Sequence, residues 1–177
     1  MNIERPIYLQ RLINRKHNGM IKIVTGMRRS GKSYLLNNLF TNYLLSIGVA
    51  PDHIISIDLE DIINKPLREP MAIINYIYQS TKDNQFHYLI IDEIQLLSEF
   101  EEVLNTLLKK QIYDVYVTGS NARFLSKDVI TTFRGRGDEV RIHPLNFAEY
   151  FSVQPVSPLI EPILNDYLRL GGLPQTV

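Results

Sequence analysis

Residues 26–33, Gly26-Met27-Arg28-Arg29-Ser30-Gly31-Lys32-Ser33, match G-x-x-x-x-G-K-[ST] at every fixed position. No other stretch of the chain restricts its fold as tightly. The pattern works in one setting only, a strand that feeds a loop that opens a helix. Its glycines let the backbone curl with N–H groups pointing inward. The following helix turns its positive N-terminal end on the same space. The flanks agree with this. Residues 21–25 form a short apolar run that contains Lys22. Residues 33–47 carry Leu35, Leu36, Leu39, Phe40, Tyr43 and Leu44 on one helical face, with Gly48 as the stop. In such a loop the lysine, Lys32, reaches the β- and γ-phosphates of a nucleotide and the Ser33 hydroxyl binds Mg²⁺.

The rest of the chain repeats the alternation. Ile7, Leu9, Leu12 and Ile13 predict a helix over 6–17, stopped by Asn18-Gly19. Strands are expected at 53–59, 87–91, 114–118 and 139–143. Helices are expected at 71–81, 99–110 (with Ser98 as N-cap), 123–133, 147–153 and 159–170, and 66–70 reads as a loop. Strands of about five residues apolar on both faces, alternating with helices of about 12, describe a parallel sheet covered on both sides. The fold class is α/β. Pro155, Pro158 and Pro162 suggest a hinge between a core over 1–153 and the start of a helical region over 154–177.

Composition excludes several alternatives. The 177 residues suit one domain. With no cysteine there is no disulfide framework, no zinc-thiolate site and no cysteine nucleophile. Lysine plus arginine balance aspartate plus glutamate at 19 each, which argues against coating nucleic acid or an anionic membrane by bulk charge. No signal-peptide core follows Met1 to Arg5 and no run reaches about 18 apolar residues, so a cytoplasmic protein without a membrane span is expected.

Further residues carry chemistry. The strand Tyr88-Leu89-Ile90-Ile91 ends in Asp92-Glu93. Behind a phosphate loop, Asp92 fits the Mg²⁺ shell and Glu93 the orientation and deprotonation of an attacking water. A kinase has no need of the second acid; a hydrolase does. Val115-Tyr116-Val117-Thr118 runs into Gly119-Ser120-Asn121, where Ser120 first, then Asn121 and Thr118, can hold the water or read the γ-phosphate; a helix N-cap at Ser120 or Asn121 reads as well. Arg134 and Arg136 flank Gly135, and an arginine can stabilise a transferring phosphoryl group in cis or in trans, although spacing alone favours a solvated turn. Arg28 and Arg29 can face a partner or an acidic surface. His17, His53, His87 and His143 lack helical ligand spacing and read as structural. Tyr76 and Tyr78 read as packing residues.

With these pieces in place, the chain resembles a prokaryotic AAA+ ATPase family whose members carry a C-terminal domain of unknown function. The marks run along almost its whole length: Arg5 to Leu9 with Leu12, the 23–33 stretch with its double arginine, Ile91-Asp92-Glu93-Ile94-Gln95, Val117 to Asn121, Gly135-Arg136, His143 to Tyr150, and Tyr167 to Pro174. The resemblance implies a five-stranded parallel P-loop NTPase core with the strand from Val115 inserted between those ending at Thr25 and Ile91. It implies Asp92 and Glu93 as the Walker B pair, Ser120 or Asn121 as the sensor and Arg136 as an arginine finger. It also implies nucleotide contacts from Gly26 through Tyr34, adenine contacts near Ile7 and Tyr8, and a steering role for Glu60 on Glu93. Proteins of this type continue past Gly-Gly-Leu-Pro, so the chain is expected to be the ATPase portion of a longer protein, without the lid arginine that serves as a second sensor.

The resulting expectation is an ATP-binding, Mg²⁺-dependent ATPase domain coupling nucleotide state to a protein or DNA partner, with self-association of the full-length protein. The alternative is a nucleotide-gated switch with little hydrolysis. A nucleotide kinase is the weakest reading.

Overall fold

The computed structural model describes residues 3–119, 133, 135–154 and 160–174. Its centre is a five-stranded parallel sheet. The strands are β1 (Ile21–Gly26), β2 (Ile54–Asp58), β3 (His87–Asp92), β4 (Tyr113–Gly119) and β5 (Gly137–Ile142). Their spatial order is β2-β3-β4-β1-β5. The strand from Tyr113 therefore lies between those that end at the phosphate loop and at Asp92. All pairings are parallel, with Ile23 opposite Val117, Ile91 opposite Val117 and Asp58 opposite Asp92.

Among the described residues the helices are α1 (Pro6–Ile13), α2 (32–46), α3 (Pro70–Ser80), α4 (Phe100–Lys109), α5 (Phe147–Phe151) and α6 (Ile160–Leu170). On one face Ile73 and Ile77 of α3 and Val103, Leu104 and Leu107 of α4 pack on Ile23, Ile57, Leu89, Ile91, Val115 and Val117. On the other, Leu12 of α1 and Leu35, Leu36, Phe40 and Leu44 of α2 pack on Val24, Ile90, Tyr116, Val140 and Ile142. The central strands β1, β3 and β4 are buried along their whole length. The edge strands β2 and β5 instead mix buried and exposed positions, because each has only one neighbour and one well-covered face.

Several elements differ from the sequence expectation. Helix α1 ends at Ile13, not His17; the chain tightens as Arg15 and Lys16 donate to the carbonyls of Leu12 and Ile13, and His17 turns left-handed (φ 56°). The middle of α2, Leu35–Phe40, is π-helical. The expected loop at 66–70 is instead the end of a 3₁₀ segment, Ile62–Arg68, capped by Asp61, followed by Glu69 as the N-cap of α3 and Pro70 as its first residue. Ser98 is not the cap of α4: Glu99 occupies that position at φ 49°, and the Ser98 N–H goes to the Arg68 carbonyl. The helix expected at 123–133 falls, but for Phe133, outside the described residues, as does most of the proline-rich hinge.

Lys22, out of place in an apolar strand, has a buried partner. Its ammonium donates to Asp114 on β4 and to the Met20 carbonyl (2.8 Å). Asp114 also accepts the Tyr116 hydroxyl (3.0 Å) and the His17 N–H (3.1 Å). Burial pushes the Tyr116 phenol far up and raises Tyr88 to about 12, with Asp114 adding to both. Removing one side of a buried ion pair leaves the other charge uncompensated, which costs about 3–5 kcal/mol. Asp114→Ala is therefore expected to lower urea-unfolding stability by about that amount, and Lys22→Met added to it to recover most of the loss. Additive losses would contradict this reading.

Candidate nucleotide site

The carboxyl ends of β1, β3 and β4 meet at the phosphate loop. The loop bends at once after β1. Gly26 sits at φ 150°, and a Cβ there would lie 2.4 Å from the Ile142 carbonyl oxygen of β5. Arg29 (φ 65°) and Gly31 (φ 93°) are both left-handed, an alternation that turns successive N–H groups to one side. The loop then opens α2 with Lys32, Ser33 and Tyr34 in its first turn. Ser30 is fully buried, and among the described residues its hydroxyl has no hydrogen-bond partner.

Lys32 is 4% exposed and its ammonium donates to the carbonyls of Gly26 (3.2 Å) and Met27 (3.0 Å). Burial lowers its pKa, and Glu93 and Asp92 pull it partly back. Asp92 ends β3 with its carboxylate accepting the hydroxyls of Ser33 and Thr118. Burial raises its pKa against those two bonds, and Glu93 and Asp58 add to the rise. A hydroxyl from the loop and a carboxylate from β3 in direct contact form an all-oxygen donor pair suited to Mg²⁺.

Immediately after Asp92 the backbone turns left-handed at Glu93 (φ 52°), which is uncommon for a residue other than glycine. The turn is held by the Glu93 N–H donating to the Thr118 hydroxyl (3.0 Å). One hydroxyl therefore ties the two acids together. The Gln95 amide donates to the Glu93 carboxylate. The cleft in front of the loop is about 490 Å³ and is lined by Arg28, Arg29, Gly31, Lys32, Ser33, Tyr34, Glu60, Glu93 and Pro174. Arg28 pairs with Glu60 at its rim (3.4 Å). An adjoining apolar pocket of about 240 Å³ shares Gly31, Tyr34 and Pro174 with it and adds Ile3, Arg5 and Leu145.

The structure thus brings Lys32, Ser33, Asp92, Glu93 and Thr118 together. Ser120 and Asn121 lie outside the described residues. Met27 is exposed, outside the cleft lining. Ile7 and Tyr8 line neither pocket: Ile7 is exposed, and the Tyr8 hydroxyl accepts the His143 N–H while its ring lies under Arg5. The residues that do border the apolar pocket, Ile3 and Arg5, stand just before them. Arg136 precedes β5 at the amino end of the strands, opposite the loop, hydrogen-bonded to Asn105 (2.9 Å) in a cleft of about 510 Å³ with His17, Phe86 and Lys109. The six residues of β1, about 20 Å at ~3.3 Å each, separate it from the loop of its own chain. His53 and His87, unrelated by spacing, become neighbours through β2–β3 pairing, next to Asp83. His87 nonetheless spends both ring nitrogens on its own loop, at Lys82 N–H and the Gln85 carbonyl.

Arg5 is the residue that sequence reasoning undervalued. It served only as a mark of resemblance, yet its guanidinium is 2% exposed. It donates to the Ser30 carbonyl (2.8 Å), the His143 carbonyl (2.7 Å) and the Glu149 carboxylate (3.3 Å). Nothing in its local spacing signals burial.

This sheet order and loop define a P-loop NTPase of the AAA+ type. The AAA domain family matches residues 18–151, and the chain belongs to that family. Two relatives are uncharacterized proteins. The one from Haemophilus influenzae is 34% identical over 99% of this chain and 44% of its own length. The one from Methanocaldococcus jannaschii is 30% identical over 98% of this chain and 38% of its own. The chain thus spans less than half the length of these relatives. Among solved structures, the AMPPCP-bound DnaA of Aquifex aeolicus has a TM-score of 0.62 at 17% identity, covering 95% of this chain and 56% of that one. A DNA polymerase III gamma subunit-related protein of Thermotoga maritima gives 0.58 at 13%, covering 92% and 54%. At these identities the likeness is one of fold. Among the described residues no helix is long and apolar enough to cross a membrane.

Proposed function

We propose that this domain binds ATP with Mg²⁺ and hydrolyses it, coupling nucleotide state to a protein or DNA partner. The observation that carries the reading is the contact of Ser33 with Asp92, which also accepts from Thr118, beside Glu93 and at the mouth of the phosphate loop. The phosphates lie along the loop N–H groups and Lys32, and the adenine occupies the apolar pocket of Ile3, Leu145, Tyr34 and Pro174. Ser33 and Asp92 would hold Mg²⁺, which would supply charge neutralisation to the phosphates. Glu93 orients a water and takes its proton as the water oxygen bonds to the γ-phosphorus; the bond to the β–γ bridging oxygen breaks, giving ADP and phosphate. Thr118 keeps both acids in register and fills the sensor position on the described part of β4. Mg²⁺-dependent release of phosphate from ATP tests the reading; ATP bound with no release under any assembly condition would favour the switch.

Arg136 supports a specific form of that second reading. It stands too far from its own loop to act in cis, so a finger role requires the nucleotide of a neighbouring copy. Isolated chains then behave as slow switches. Turnover per chain is expected to rise with protein concentration and Arg136→Ala to remove the rise. Concentration-independent turnover, unchanged in Arg136→Ala, would eliminate the finger.

A further inference from the structure

The buried guanidinium of Arg5 joins segments far apart in sequence. Nε and Nη2 pair with the Glu149 carboxylate (both 3.3 Å), Nη2 also reaches the His143 carbonyl, and Nη1 donates to the Ser30 carbonyl at 2.8 Å. Glu149 is itself fixed. It closes the capping box of α5, accepting the Asn146 N–H (3.0 Å) while the Asn146 side chain accepts the Glu149 N–H (2.9 Å). Arg5 is therefore a rigid post with one arm on the phosphate loop.

That arm matters because of what a peptide plane does. Carbonyl and N–H of a trans peptide point in opposite directions. With the Ser30 oxygen drawn to Arg5, the Gly31 N–H of the same plane is directed away from Arg5, and Gly31 itself lines the phosphate cleft. Gly31 is also where the plane turns over most easily, since glycine tolerates both signs of φ. A flipped plane would turn a carbonyl oxygen, with its partial negative charge, on the phosphates.

We propose that Arg5 is a positioning residue for phosphate binding: by anchoring the Ser30 carbonyl it holds the 30–31 peptide with its N–H facing the nucleotide phosphates. The proposal rests on the ATP reading above and assigns to the chain's first segment a function in the loop itself. Arg5 touches no reacting atom; it acts through Ser30 and Gly31. It also borders the apolar pocket, so the test must separate phosphate from base.

The experiment measures binding of Mg·ATP and of Mg·tripolyphosphate, which has phosphates and no base. It compares the parent, Arg5→Met/Glu149→Met, and Arg5→Lys. The double variant removes the whole buried pair, an exchange that is often neutral for stability. Lysine keeps a charge beside Glu149 but lacks the planar fork that reaches two partners at once. Both variants are expected to stay folded, Arg5→Lys melting close to the parent and the double variant a few degrees lower for the lost Glu149 capping bond, with ATP and tripolyphosphate each bound about tenfold more weakly or worse, the scale of one lost hydrogen bond to a charged group. Tripolyphosphate binding unchanged while ATP weakens would overturn the proposal and leave Arg5 as a base-pocket residue. Parent-like binding of both ligands by either folded variant would also overturn it. A parent that binds neither ligand would overturn the ATP reading itself, and the proposal with it.

Discussion

Glu93→Gln is expected to leave Mg·ATP affinity within about threefold of the parent and to slow phosphate release by about 10²–10⁴-fold, the usual span of a lost general base. Glutamine has the shape of glutamate and keeps the left-handed turn, because the backbone N–H that holds the turn, donated to Thr118, is untouched. What it loses is a site for the water's proton. The Gln95 amide that now donates to the carboxylate finds an oxygen still there in the variant. Binding should be followed by equilibrium titration and turnover by phosphate release at saturating ATP, in concentrated protein so that a neighbour's Arg136 is available. Equal turnover in parent and variant would remove Glu93 from the chemistry.

Lys32→Ala is expected to weaken ATP binding about 100-fold while barely moving the melting temperature. The binding loss follows from charge-assisted bonds to phosphate, about 1.5–3 kcal/mol each. The small effect on stability follows from the environment of the side chain. The Lys32 ammonium is buried at a desolvation cost large enough to lower its pKa, and its own partners are two backbone carbonyls at 3.0 and 3.2 Å. A charge held at such cost contributes little to the fold. A variant that unfolds, or one that binds ATP like the parent, would contradict this account of Lys32.

The core of the site was legible because its parts are local. The phosphate loop is eight consecutive residues, and Asp92-Glu93 closes an apolar run, so strand, loop and helix follow from adjacent side chains. Sheet pairing then brings Ser33, Asp92 and Thr118 together without any signal in their spacing; Thr118 ranked third among the sensor candidates and became the hydroxyl that ties both acids. Arg5 and Glu149, 144 positions apart, carry no mutual mark at all. A buried ion pair is a tertiary fact, visible once β5 and α5 deliver Glu149 to the loop's outer side. Lys22 and Asp114 make the same point at the amino end of the central strands: the residue that disturbed an apolar strand was matched by an acid on the neighbouring strand. Ile7 and Tyr8 lie outside the apolar pocket, since α1 turns Tyr8 under Arg5 and leaves Ile3 at the pocket.

The central claim is that Ser33 and Asp92 hold a Mg²⁺ that serves the nucleotide phosphates. Its most direct measurement is an ATP titration with and without Mg²⁺, in the parent and in Asp92→Asn. The account predicts that Mg²⁺ tightens ATP binding to the parent by about tenfold or more, and that Asp92→Asn abolishes this gain while binding Mg²⁺-free ATP as the parent does. Equal binding by the parent with and without Mg²⁺, or a full Mg²⁺ effect retained in Asp92→Asn, would contradict it.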